Sequence, residues 1–147
     1  MTAFVFAATF VPKIPIPLGY AHLGDAAIFL AVMFGGRCVG ILSGVIGSAL
    51  ADFLSGFPIW IVPTIVIKAA EAEIFWRLRG KNFLLGLILA SLTMTAGYTL
   101  AGAFLYDSLS AGLASTPGLL LKSAVNIFVA IVLSAAIRSR GVVREKD

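Results

Sequence analysis

Between Lys81 and Asp107 the chain carries no charged side chain, and the stretch 83–104 within it is almost wholly apolar. A run of this length is about what an α-helix needs to cross the hydrocarbon of a bilayer. It does not alternate, so a lipid-facing β-barrel strand is excluded. In lipid every backbone N–H and C=O must be satisfied internally, which leaves helices as the spanning element. The rest of the chain agrees. Charged residues make up 12% of its 147 residues, 60% are hydrophobic, and the mean hydropathy is +1.04. Soluble domains carry about twice that charge.

Apolar runs predict six spans, at 2–11, 24–34, 38–54, 59–76, 83–104 and 117–137. The first two are short for a bilayer at 1.5 Å of rise per residue. The expected fold class is an all-α integral membrane protein, a six-transmembrane-helix bundle forming one membrane domain over 1–147, with a short charged tail at 138–147. Basic residues set its orientation. Arg37, Arg77, Arg79, Lys81, Arg138, Arg140, Arg144 and Lys146 follow the even-numbered spans, and Lys13 falls on the other side. That asymmetry places both termini in the cytoplasm. The outer loops are then 12–23, 55–58 and 105–116. The +4 net charge is a topology signal and not a nucleic-acid footprint. The N-terminus lacks the basic stretch of a secretory leader.

Chemistry-bearing residues are few. One cysteine, Cys38, and one histidine, His22, exclude an internal disulfide, a thiolate cluster and a polyhistidine metal site. No phosphate-binding glycine loop and no nucleophile–base set is present, so the chain is not expected to be an enzyme, and no metal or cofactor is implied. Ionisable groups within spans are costly and therefore candidates for function. Asp25, Asp52, Lys68, Lys122 and Tyr98 come from several spans at similar depth, toward the outer side. Trp60, Thr64 and Lys68 fall at i, i+4 and i+8 and share a helix face. Lys122 and Asn126 share another, and Gly44, Ser48 and Asp52 a third. Such a mixture suits a small-molecule cavity, mostly apolar with a few placed polar groups. Competing structural readings are an Asp52–Lys68 ion pair, a Lys122 that snorkels to the interface, and interfacial roles for Trp60 and Tyr20. Glu71 can neutralise Lys68, Glu73 can meet Arg77, and His22 can simply cap or pack.

Four elements occur in order: IPIP, then GY-x-HLGD, then G-x-x-x-G-x-x-GSA-x-AD, then GFP-x-W-x-x-x-T-x-x-IK. In this combination 14–70 resembles the substrate-binding S components of energy-coupling factor (ECF) vitamin transporters. The resemblance implies a six-helix subunit in the plasma membrane of a prokaryote. It would capture a vitamin or vitamin precursor on its outer side, and would pair with a transmembrane coupling subunit and two cytoplasmic ATPases. Ala3 and Ala7 match the small-residue step by which the family's first helix packs on the coupling subunit. The segment IPIPLGYAHLG takes the place of a lid, stiffened by its prolines, that presents Tyr20 and His22. Together with the residues read from depth and spacing, the candidate ligand residues are Tyr20, His22, Asp25, Asp52, Trp60, Thr64, Lys68, Tyr98, Lys122 and Asn126. A thiamine-pyrimidine precursor, pyridoxine or riboflavin would suit them, and two lysines would also accept a carboxylate such as pantothenate. The alternatives are a stand-alone proton-coupled transporter using Asp52, Lys68 or Glu71, and a structural or regulatory membrane protein.

Overall fold

The computed structural model describes residues 1–16 and 19–139, and for 16–20 it describes no side chains. Helices dominate. In order they are α1 (Thr2–Phe10), α2 (Gly24–Leu54), α3 (Ile61–Arg79), α4 (Phe83–Leu105) and α5 (Leu109–Ser139). Between α1 and α2 the strands β1 (Ile14–Ile16) and β2 (Gly19–Ala21) pair antiparallel, with Pro15 opposite Tyr20. A short 3-10 turn, Pro58–Trp60, leads into α3. By length and composition three helices can cross a membrane: α2, α4 and α5.

The 31-residue α2 is two helices in one. Gly36 has φ 80°, ψ −173°, which breaks the helix. A β-carbon is strained there, whereas glycine is not. Beyond Gly36 the chain turns back on itself. Gly40 lies against Val32 and Gly44 against Ile28, so the two arms run antiparallel. Small residues permit that approach. A β-carbon on Gly44 would already stand 3.2 Å from Ile28 Cδ1. One turn further on, Gly47 receives α1, where a β-carbon would meet Phe6 N at 3.0 Å. Gly40, Gly44 and Gly47 thus serve packing inside this chain. With α2 counted as two arms, the described residues contain six α-helical segments.

Neighbouring elements pack in chain order, α1 on α2, α2 on α3, α3 on α4, α4 on α5, and α5 returns to α2. The core holds Val5, Phe29, Val32, Phe75, Leu87 and Ala130. Phe29 and Phe75 rings meet at 4.9 Å, and Phe83 adds an edge contact to Phe75 at 5.7 Å. Asn82 caps α4 by accepting the Leu85 N–H at 3.0 Å. Outward faces are apolar, as lipid requires; Val62, Leu100, Phe104, Leu121 and Phe128 are all exposed.

Two boundaries differ from the sequence reading. The segment 105–116 was expected to be a loop, yet α5 begins at Leu109 and continues through Pro117. Its first turns are held to α4 by the Thr99–Thr116 hydroxyl pair at 3.0 Å and by Gly112 seated on Thr99 O. The segment 12–23 contains the β1–β2 hairpin. The residues 140–147 of the charged tail, with Arg140, Arg144 and Lys146, lie outside the described residues.

Candidate functional site

The start of α2 is fastened on three sides. Leu23 N–H donates to Ala8 O of α1 at 3.1 Å. His22 Nδ1 accepts the Gly24 N–H at 2.9 Å, so the histidine caps the helix. From α5, Asn126 Oδ1 accepts the Ala26 N–H at 2.8 Å, and its Nδ2 donates to His22 O at 2.8 Å and to Lys122 O at 2.9 Å. Asn126 therefore spends its amide on the backbone of α5 and of the segment that links the hairpin to α2. Burial lowers the His22 imidazole well below its usual range, helped by the nearby Lys122 charge.

Asp25, in the first turn of α2, heads a buried charge quartet. Its Oδ1 bonds Lys68 Nζ of α3, and its Oδ2 lies 3.0 Å from Lys122 Nζ of α5. Lys68 also donates to Glu71 Oε2 at 2.7 Å. Asp25, Lys68 and Glu71 are fully buried and Lys122 nearly so. The Asp52–Lys68 pair considered from sequence is not formed. Helix geometry brings the first turn of α2 over Lys68, while Asp52, at the far end of the second arm, meets Thr64 one turn earlier on α3. Nor does Lys122 snorkel, since its ammonium stays inside with Asp25 and 3.9 Å from Met94 Sδ.

Next to the quartet stands a polar–aromatic wall. Thr64 Oγ1 donates to Asp52 Oδ2 at 2.5 Å and lies 3.0 Å from the Tyr98 hydroxyl. Thr64 has one proton and gives it to Asp52, so Tyr98 is the donor in the second bond. The Trp60 ring lies 5.7 Å from Tyr98 and 6.3 Å from Tyr106. Lys68 and Lys122 ammoniums sit 5.5 and 5.8 Å from the Tyr98 ring centre. Trp60 is 7% exposed, and its indole N–H has no hydrogen-bond partner among the described residues. The buried Ser48 hydroxyl, one turn before Asp52, is likewise without one. Buried donors are normally satisfied, so the Trp60 N–H marks a place where an acceptor is expected.

Of the residues expected from sequence, the structure brings together Asp25, Lys68 and Lys122 in the quartet and Asp52, Trp60, Thr64 and Tyr98 in the wall. His22 and Asn126 tie the hairpin connection to α2. Tyr20 has its backbone in β2, and its side chain lies outside the described residues. Ala3 and Ala7 are exposed on α1. Glu71 meets Lys68, as its i, i+3 spacing suggested, although it was not among the expected ligand residues. Tyr106, just past α4, carried no sequence signal.

At the other end of the bundle the basic residues gather. Arg37 and Arg77 both bond Glu73, each at 2.7 Å. Arg79 donates to Met33 O at 3.3 Å and stacks 4.1 Å from the Trp76 ring centre. Arg138 lies 5.8 Å from the Phe83 ring centre.

Apolar outer faces, small-residue helix contacts and a buried polar wall define a membrane-embedded helical protein with a polar interior. Residues 1–139 match the family described as ECF-type riboflavin transporter, S component, and the chain belongs to that family. It is also 38% identical over 109 residues to a Pyrococcus woesei protein described as an uncharacterized protein in gap 3′ region, covering 69% of this chain and 73% of that one.

Proposed function

We propose that this chain is the substrate-capture subunit of an ECF-type importer and that its ligand is a flat heteroaromatic vitamin of the riboflavin class. The chain would cross the plasma membrane of a prokaryote six times with both termini inside, because Arg37, Arg77, Arg79 and Arg138 lie at one end and the hairpin at the other. The observation that carries the ligand reading is the buried Trp60 N–H without a partner, set beside Tyr98, Thr64 and Asp52. An isoalloxazine offers ring carbonyls to such a donor and a π-face to Trp60 and Tyr98. The family match favours riboflavin over the smaller thiamine-pyrimidine and pyridoxine rings. A carboxylate ligand such as pantothenate is disfavoured, because both lysines already hold Asp25.

The β1–β2 hairpin would close over the bound vitamin and exclude water. Transport would need a transmembrane coupling subunit docked on the Ala3–Ala7 face of α1, and two ATPases. The chain itself would perform no hydrolysis. The test is to purify the protein in detergent, denature it and identify released small molecules by mass spectrometry, then titrate the emptied protein with riboflavin while following flavin fluorescence. Stoichiometric flavin and saturable quenching are expected. No flavin, together with no quenching, overturns the reading. Uptake by the chain alone in vesicles, driven by a proton gradient without ATPases, would favour a self-sufficient transporter.

A further inference from the structure

We infer that the basic end of the bundle is a binding surface for anionic phospholipid headgroups, centred on Arg77 and Lys81. The inference goes beyond the capture reading and does not depend on which vitamin is bound. Among the described residues that end carries Arg37, Arg77, Arg79, Lys81 and Arg138 against a single carboxylate, Glu73. Glu71 lies deeper and is engaged by Lys68.

The local geometry leaves positive charge over and aims it outward. Glu73 accepts Arg37 Nε at 2.7 Å and Nη2 at 3.0 Å, and its Oε1 also accepts Arg77 Nε at 2.7 Å. One negative charge thus bridges two guanidiniums, and an added anion would complete the balance. Arg77 commits only Nε. Its terminal nitrogens bond nothing among the described residues, and its side chain is 70% exposed. A guanidinium oriented through one edge in this way presents the other to a phosphate as a two-pronged donor. Lys81 stands exposed in the turn that joins α3 to α4, where its own N–H bonds Leu78 O. Arg79 and Arg138 are laid on the Trp76 and Phe83 rings. Aromatic rings with cations just outside them follow the order of groups across a bilayer interface.

The surface beside the cations favours a lipid over a soluble anion. Val39 lies close after Arg37, Leu84 close after Lys81 and Leu133 just before Arg138, and all three are exposed. A soluble phosphate meets only the charge. A phospholipid sets its phosphate on the cations and runs its acyl chains along these side chains. The cations are also spread from the reversal of α2 to the end of α5, and do not converge on one pocket. Each such cation near a membrane surface strengthens attachment to anionic lipid about fivefold.

The experiment offers the detergent-purified full chain equal amounts of phosphatidylglycerol and phosphatidylcholine of the same chain length, and counts retained lipid by native mass spectrometry. Phosphatidylglycerol should be retained at least about fivefold more, and a large excess of inorganic phosphate should not displace it. Arg77→Gln and Lys81→Gln should each lower the preference by about threefold or more. Lys13→Gln makes the same charge change beside Ser55 at the other end, and should alter the preference by less than about twofold. Equal retention of the two lipids by wild type overturns the inference and leaves the basic end to an acidic segment of a partner protein. Displacement by inorganic phosphate overturns the lipid assignment and makes the ligand a soluble anion. A preference that falls as much in Lys13→Gln as in Arg77→Gln and Lys81→Gln overturns the placement and reduces the effect to net charge. The wild-type ratio decides the first arm without any variant, so a variant that fails to fold does not shelter the inference.

Discussion

Asn126 and Ala26, one hundred residues apart in sequence, are joined by a 2.8 Å hydrogen bond from the Ala26 N–H to Asn126 Oδ1. The same side chain holds His22 O. One amide therefore registers α5 against both the cap of α2 and the end of the hairpin. Asn126→Ala leaves Ala26 N–H and His22 O buried without their partner, at about 1–3 kcal/mol for each group. Thermal unfolding in detergent should fall by several degrees and riboflavin affinity by more than about tenfold. Unchanged affinity would show that the hairpin is held by other means.

Lys68 stabilises two buried carboxylates, so its removal is a folding defect before it is a binding defect. Lys68→Met should cost about 3–5 kcal/mol. The double change Lys68→Met with Glu71→Gln should recover part of that loss, because one stranded carboxylate is gone. A double-mutant cycle on chemical unfolding measures the coupling. Strictly additive effects would argue that the Lys68–Glu71 contact, 2.7 Å in length, contributes nothing.

His22 gives the protein an acid limit. Burial lowers its ionisation below the ordinary value of 6.5. A histidine whose folded-state pKa is depressed favours the fold while neutral, so its contribution is complete above the unfolded value and is lost as pH falls through and below it. Protonation also converts Nδ1 from acceptor to donor and breaks the cap on Gly24. Stability measured at about pH 7.5 should exceed that at about pH 5, and His22→Asn, whose side-chain oxygen can replace Nδ1, should flatten the difference. A slope that survives the substitution assigns it to another group.

Ala3 and Ala7 test the docking surface. Both are exposed, whereas Val5 and Thr9 on the opposite side of α1 are buried against α2. Ala3→Trp and Ala7→Trp should leave riboflavin affinity within about twofold while abolishing uptake by the assembled importer. Normal uptake with both tryptophans in place would move the docking face elsewhere.

Gly36 tests the reversal of α2. At φ 80°, Gly36→Ala should cost about 1–3 kcal/mol. Gly80, where φ is −77° and a β-carbon meets open space, should tolerate alanine within about 0.5 kcal/mol. Equal losses at the two positions would remove the special role of Gly36.

Much of this architecture was legible in the sequence because lipid permits so few solutions. Uncharged runs had to be helices, and basic clusters had to mark one end. Less legible were the places where a helix and a loop have the same composition. The segment 109–116 is rich in Gly, Ala, Ser and Thr, residues that read as a loop in water yet pack as helix against α4 through Gly112 and Thr116. At the site, the sequence identified the buried charges and the Lys68–Glu71 contact, but not the pairing of Asp25 with Lys68 and Lys122. Periodicity along α3 placed Trp60, Thr64 and Lys68 on one face. Only the antiparallel return of α2 decides that Asp25 reaches Lys68 while Asp52 stops at Thr64. The role of Asn126 was equally hidden, since an amide bonding to backbone has no signature in the side chains around it.

The quartet also bears on how the chain is made. Asp25 leaves the ribosome well before Lys68, 43 residues later, and further still before Lys122. The nascent first arm of α2 therefore carries an acid whose two counter-ions have not yet been translated. Until α3 arrives, that arm is best kept at the membrane surface, with its carboxylate in water. The charges can complete their pairing only in chain order: Lys68 meets Asp25 once α3 is made, and α5 adds Lys122 and Asn126 last.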